Sequence, residues 1–146
     1  MTAEIFFRYV HFISLFIAVS ALVTEYLLLK PQLIRQELQR IYRVDSIYGL
    51  SAVLFVAAGM MLWFVVGKPA EFYSKNWIFY MKIILAVTAG LLSIIPTIFF
   101  FKERKGDPNE LVNAPAKLKW YIRLQLLIMF IVPLLATLMA KGVGSF

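Results

Sequence analysis

Cysteine is absent from the 146-residue sequence, His11 is its only histidine, and charged residues make up just 16% of the chain. Without cysteine the chain has no disulfide scaffold, no thiolate-bound zinc or iron–sulfur site and no thiol nucleophile. Soluble domains usually carry about a quarter of their residues as charged side chains. The shortage of charge therefore excludes an ordinary soluble enzyme.

Hydrophobic residues make up 62% of the chain, and the mean hydropathy is +0.81. They lie in four long runs, and a helix of about 20 apolar residues is long enough to cross a bilayer. The runs lack the alternation typical of barrel strands, and helices satisfy every backbone amide within lipid. The sequence predicts a single all-α domain over 1–146, an integral membrane four-helix bundle with helices at about 5–29, 47–66, 77–101 and 121–140.

The formal net charge is +7, and the basic residues flank the apolar runs, which indicates membrane topology rather than nucleic-acid binding. Ten of the 15 Lys and Arg residues lie in or beside the first and third connections, and such residues favour the cytoplasmic side. We therefore expect a multi-pass protein of the bacterial inner membrane with both termini on the outer, periplasmic side. The first connection predicts a short interfacial helix at about 31–43, with a solvated basic connector as the alternative.

Polar residues within the apolar runs are the candidates for function, because burying charge in hydrocarbon is costly. Helical spacing of three and four places one set on a single face of the first run: His11, Ser14, Ala18, Ala21 and Glu25. Lys82 begins a similar stripe in the third run. We expect His11 and Lys82 at similar depth around a polar pocket, with Arg8 and Ser14 as further cofactor-binding candidates. The alternatives are close packing of small residues and a Lys82 that reaches the interface.

Glu25 lies near the other end of the first run, where we expect a structural ion pair with Arg43 or Arg123. The alternative is a functional carboxylate inside the bundle. A neutral imidazole is a good ligand for haem iron, so His11 is the candidate iron ligand of a b-type haem. A single histidine leaves the second axial position to methionine, lysine, water or a second chain.

Five short motifs spread over nearly the whole chain resemble those of one family. They are RYVHF at 8–12, ALVTE at 21–25, DSIYGL at 45–50, SIIPT at 93–97 and PLLATLMAKG at 133–142. With these motifs the sequence resembles the bacterial predicted membrane proteins of domain of unknown function 2214. That resemblance implies a four-helix inner-membrane protein and assigns little chemistry.

A histidine early in the first helix and a lysine early in the third are also similar, more distantly, to the HemJ type of protoporphyrinogen IX oxidase. This resemblance implies a small four-helix protein that holds b-type haem through histidine. It also implies oxidation of protoporphyrinogen IX to protoporphyrin IX, with electrons passed to a membrane acceptor. On this resemblance His11 is the haem ligand, and Lys82 binds a porphyrin propionate or assists proton removal.

Two functional hypotheses follow from these residues. The first is a haem- or porphyrin-binding inner-membrane protein with a redox role, in its narrower form an oxidoreductase with a porphyrin substrate and His11 and Lys82 as catalytic residues. The second is a non-enzymatic bundle that acts as a partner subunit or carries a small solute or ion. In that case Glu25, His11 and Lys82 are the residues along a path for protons or for a metal ion. A homo-oligomer is compatible with both hypotheses.

Overall fold

Four long helices form the protein in the computed structural model, which describes residues 2–146. In chain order the elements are α1 (Thr2–Leu28), β1 (Gln32–Ile34), α2 (Arg35–Met61), the short α3 (Ala70–Ser74), α4 (Trp77–Glu103), β2 (Leu111–Asn113) and α5 (Ala116–Ala140). A π-helical turn, Leu62–Val66, extends α2. Each of the four long helices is apolar and long enough to cross a membrane. The predicted all-α bundle of four membrane helices is therefore confirmed.

The long helices pack as two antiparallel hairpins. α1 lies mainly against α2, and α4 lies mainly against α5, while narrower contacts of α1 with α5 and of α2 with α4 close the bundle. α1 and α4 are therefore diagonal neighbours. We call the end that holds residue 2, the α2–α4 connection and residue 146 the termini end. The opposite end, with the connections at 29–34 and 104–115, is the loop end.

The apolar core is tightest toward the loop end. Six large side chains from all four long helices are at most 1% exposed there: Leu22, Leu38, Ile41, Phe100, Leu118 and Ile122. Toward the termini end the buried apolar clusters come from α4 and α5, and the first buried residue of α1 is Ser14. The bundle is therefore closed at the loop end and more open at the termini end.

The segment 31–43, for which the sequence predicts a short interfacial helix, has a different structure. β1 pairs with β2 in a two-stranded antiparallel sheet that joins the first and third connections, with Leu33 opposite Val112. α2 begins directly afterwards at Arg35 and continues without a break into the apolar run. Leu38 and Ile41, within the segment predicted as a separate helix, belong to the buried face of α2 itself.

Arg35 fastens the third connection to the start of α2. It is buried, and its guanidinium donates to the carbonyl oxygens of Glu103 (2.8 Å) and Asp107 (3.2 Å) and to the Glu110 carboxylate (2.6 Å). Gly106 passes so close that a Cβ there would lie 2.5 Å from an Arg35 nitrogen, and its φ of 132° suits only glycine. Hydrogen bonds as well as apolar packing thus hold the loop end closed.

Candidate functional site

A line of polar side chains, which we call the polar seam, runs along the interface between α1 and α2. It consists of His11, Ser14 and Glu25 from α1 with Asp45 and Ser51 from α2. All of them except the half-buried His11 are buried, and Glu25 is only 1% exposed. At a rise of about 1.5 Å per helical residue, His11 and Glu25 are separated by about 21 Å. The polar seam therefore extends through much of the apolar length of the bundle.

Toward the loop end, the polar seam finishes in a pair of carboxyl groups. Glu25 and Asp45 lie close enough for their carboxyl groups to interact, and the Thr97 hydroxyl of α4 donates to Asp45 at 2.7 Å. Tyr48, buried one turn further along α2, is close enough to interact electrostatically with both carboxyl groups. Two adjacent ionised carboxylates repel each other. A favourable contact between them requires a shared proton or a bound cation. We call these two residues the carboxyl pair.

α5 contributes Gln125 to the polar interior. Gln125 is 1% exposed, and its Nε2 donates to the Tyr121 carbonyl oxygen at 3.2 Å. Within residues 2–146, Glu25 Oε1 and Gln125 Oε1 are buried and receive no hydrogen bond. Buried acceptors without a donor are costly and uncommon. These two oxygen atoms are therefore available to a proton or another donor.

The ion pair predicted for Glu25 is not formed among the described residues. Arg43 is exposed, and Arg123 donates instead to the Tyr26 hydroxyl at 2.9 Å. Glu25 continues the buried face of α1 that includes Ser14, Ala18 and Ala21, so its carboxyl group meets α2 and not the basic residues of the connections. Sequence position near the helix end suggested the wrong partners.

Asp45 is the site residue that the sequence analysis missed. A helix that begins at 47 leaves Asp45 in the connection, whereas the actual α2 begins at Arg35 and buries it. The sequence signal is a spacing of three and four residues that continues back through the charged segment. The positions are Leu38, Ile41, Asp45, Tyr48 and Ser51, and all five are buried in the structure. Extending the apolar run back through the charged segment places Asp45 inside the bundle.

At the termini end the polar seam finishes at His11, whose ring is positioned by α2. Nδ1 lies 2.8 Å from the Phe55 carbonyl oxygen, and the ring stacks on the Phe55 ring with 4.0 Å between centroids. A carbonyl oxygen only accepts, so in this bond Nδ1 carries the proton and a neutral ring keeps its lone pair on Nε2. Gly59 makes room for the ring, because a Cβ there would lie 3.0 Å from His11 Cε1.

Two other residues predicted for the site lie within electrostatic range of His11. Lys82 and Arg8 are near enough to His11 to act on it electrostatically, although α1 and α4 are diagonal neighbours. Arg8 pairs with Glu4 at 2.8 Å. Lys82 is half-buried, forms no ion pair with any described residue, and has its Nζ 5.9 Å from the Phe79 ring centroid. Its charge is thus open to an anionic ligand.

The donors at the termini end limit which metal group this part of the bundle could hold. The described residues contain no group of three His, Cys, Asp or Glu side chains able to hold an ion, whereas a porphyrin supplies iron with its equatorial nitrogens and needs only axial ligands. A neutral His11 would offer Nε2 as such a ligand, because its Nδ1–H is bound to the Phe55 carbonyl oxygen, as in many metal-ligating histidines. Trp63 contacts Phe79 edge-on at 4.7 Å, and its buried Nε1 has no acceptor within residues 2–146.

Comparison with known proteins identifies a family. The family described as "Predicted membrane protein (DUF2214)" matches residues 3–144, in agreement with the resemblance of the sequence motifs. No curated protein and no solved structure matches the chain. The more distant resemblance to HemJ-type oxidases receives no support from these comparisons.

Proposed function

Because the chain belongs to the DUF2214 family of predicted membrane proteins, we propose a function that operates inside the bilayer. The protein is a proton carrier, and the carboxyl pair Glu25 and Asp45 is its proton-binding site. The observation that supports this proposal is the burial of two neighbouring carboxyl groups from different helices within an apolar bundle.

The environment of Glu25 favours proton binding over a structural role. Ionisable side chains inside membrane helices commonly mark ion or proton pathways, because an idle charge there is costly. Glu25 has no basic partner among the described residues, and its Oε1 receives no hydrogen bond. The Thr97 hydroxyl occupies one oxygen of Asp45. A proton between the two carboxyl groups supplies the missing donor and removes the repulsion between them.

The polar seam offers a route from the carboxyl pair toward the termini end. Ser51 and Ser14 lie buried between the pair and His11, and hydroxyl groups both donate and accept hydrogen bonds. The His11 imidazole accepts a proton at Nε2 and releases it from the same nitrogen, while Nδ1–H stays bound to the Phe55 carbonyl oxygen, and histidine commonly serves as a proton shuttle. Because His11 is half-buried at the more open end of the bundle, it links the interior to the surface.

Proton movement is measured in proteoliposomes loaded with a pH-sensitive dye, in which a potassium gradient and valinomycin set the membrane potential. We expect the wild-type protein to change the luminal pH faster than empty liposomes. The near-isosteric variants Glu25→Gln and Asp45→Asn should fall to the rate of empty liposomes. Glu71→Gln is the matched control, because it removes an exposed carboxylate from α3. Folded wild-type protein that moves protons no faster than empty liposomes would refute the proposal.

Infrared spectroscopy tests the proton-binding site without requiring transport. A protonated carboxyl group absorbs through its C=O stretch at a frequency distinct from that of a carboxylate. We expect the wild-type protein to show this band, and we expect Glu25→Gln to remove or shift it while Glu71→Gln leaves it unchanged. A band that is identical in wild type and Glu25→Gln would place the proton outside the carboxyl pair.

The geometry of His11 favours a second candidate function, in which the termini end binds haem b or a related porphyrin and has a redox role. His11 would hold the iron through Nε2, while Lys82, Arg8 and the Trp63 indole would bind propionate carboxylates. Ser14 lies one turn deeper on the same face of α1. The group would supply one-electron redox chemistry, and porphyrin oxidation is the narrower form of this proposal.

An absorption spectrum of the detergent-purified protein, air-oxidised and then dithionite-reduced, tests the second candidate. We expect a Soret band with resolved α and β bands on reduction, lost in His11→Ala and retained in Thr88→Ala, which alters an exposed position of α4. A colourless preparation that is unchanged after addition of hemin would reject haem binding. The proton-flux assay is independent of this result, since it requires no cofactor.

A further inference from the structure

A groove lined by basic residues lies where the end of α1 meets the start of α5, at the loop end and outside the polar seam. Its volume is about 220 Å³, and it is lined by residues 29–31 and 114–116 together with Lys119, Trp120 and Arg123. Three of the lining residues carry a positive charge: Lys30, Lys119 and Arg123. Neither functional candidate uses this groove.

Lys119 and Arg123 are positioned by neighbours that do not neutralise them. Lys119 Nζ donates to the Leu29 carbonyl oxygen at 3.3 Å, and Arg123 donates to the Tyr26 hydroxyl at 2.9 Å while its guanidinium lies 4.6 Å from the Trp120 ring centroid. Neither cation forms an ion pair with a described carboxylate, whereas Lys30 pairs with Glu37 at 3.3 Å. Lysine has three donors and arginine five, so most of them remain free for an anion.

The surface beside the groove is apolar, which places the groove at the edge of the bilayer. Leu27 of α1 is 70% exposed, and Trp120 and Leu124 of α5 are also exposed. Tryptophan is enriched at membrane interfaces, and basic pockets between membrane helices bind lipid head groups. A binding site for a free anion in water would not require exposed apolar side chains beside it, whereas a lipid site would.

We propose that the groove binds the phosphate of an anionic phospholipid. Lys119 and Arg123 hold the phosphate, and the exposed apolar side chains of α1 and α5 contact the acyl chains. Free inorganic phosphate offers the same anion chemistry, and the apolar flank is the feature that selects the lipid. This proposal is independent of the proton-carrier and haem functions.

Trp120 lines the groove and is a direct reporter of a bound lipid. The double variant Trp63→Phe and Trp77→Phe leaves Trp120 as the only tryptophan. This protein is reconstituted with brominated phosphatidylglycerol or brominated phosphatidylcholine, and bromine quenches tryptophan fluorescence on contact. We expect stronger quenching by phosphatidylglycerol and a loss of this preference in Lys119→Ala combined with Arg123→Ala. The ratio of the two quenching levels cancels changes in Trp120 emission caused by the substitutions themselves.

The matched control is Lys102→Ala combined with Lys105→Ala, which removes the same charge from exposed positions at the same end of the bundle. Retention of the preference in this control supports a specific site. Loss of the preference in both double variants would show general attraction to a basic surface and overturn the proposal. Equal quenching by the two lipids would overturn it as well, and displacement by inorganic phosphate would assign the groove to the free anion.

Discussion

At the scale of single residues, His11 shows how a backbone carbonyl determines what an imidazole can do. The bond to the Phe55 carbonyl oxygen (2.8 Å) requires a proton on Nδ1 and so leaves Nε2 of the neutral ring as an acceptor or ligand. Gly59 allows this arrangement, since a side chain there would press on Cε1. Both functional candidates depend on this one orientation, because each uses the Nε2 lone pair.

Gly59→Ala is expected to disturb the His11 ring. An added Cβ would stand 3.0 Å from Cε1, so the ring has to shift by a few tenths of an ångström from its place beside Phe55. Since His11 is the only histidine, ¹⁵N-histidine labelling yields one pair of ring-nitrogen NMR signals, and these report the tautomer directly. We expect an Nδ1-protonated neutral ring in the wild type and shifted signals in Gly59→Ala. Gly49→Ala on the same helix is the control, because a Cβ there meets nothing within 4 Å. Unchanged signals in Gly59→Ala would contradict the geometry.

The candidate site was predictable from sequence only in part. Helical spacing and matched depth were enough to predict His11, Lys82 and Arg8 at the same end of the bundle, because those residues lie in regular helices, and their common role stays a prediction. Asp45 was not predicted as a site residue, because apolar content alone places the start of α2 at 47. The charged turns before residue 47 are helical as well. The β1–β2 pairing also lay beyond local patterns, because three-residue strands depend on a partner far along the chain.

At the scale of elements, the loop end is a joint between the two hairpins. The β1–β2 sheet links the connection after α1 to the connection after α4, and Gln39 of α2 donates to the Arg104 carbonyl oxygen at 2.9 Å. Arg35 adds bonds to two carbonyl oxygens and a carboxylate in the same connection. These contacts fix α2 relative to α4, and they thereby hold Asp45 near Thr97.

Arg35→Ala is expected to destabilise the bundle at this joint. Hydrogen bonds to a charged group contribute about 1.5–3 kcal/mol to stability, and we expect the free energy of unfolding to fall by about that amount. Unfolding is followed by circular dichroism in detergent with increasing sodium dodecyl sulfate. Arg40→Ala, which removes an exposed arginine from the same helix, should leave the midpoint almost unchanged. Equal midpoints for the two variants would show that the Arg35 bonds do not hold the joint.

At the scale of the whole molecule, the four apolar helices place the chain in a lipid bilayer, and charge sets the expected orientation. The basic residues concentrate at the loop end. There Arg35 is hydrogen-bonded to the third connection, and Lys119 and Arg123 line the groove between α1 and α5. The concentration of cations thus has local structural roles in addition to a topological one. The positive-inside tendency nevertheless depends on the number of cations near the helix ends, and it predicts a cytoplasmic loop end.

Orientation is testable with single cysteines, because the natural chain has none. Ser145→Cys at the termini end and Asn113→Cys at the loop end both alter exposed positions and leave every Lys and Arg in place. We expect a membrane-impermeant maleimide to label Ser145→Cys on intact cells and Asn113→Cys only after permeabilisation. The reverse pattern, or equal labelling of both, would contradict the charge argument. The expected pattern places the half-buried His11 toward the outer side and the carboxyl pair toward the cytoplasmic side, so a proton that follows the polar seam inward would meet His11 first.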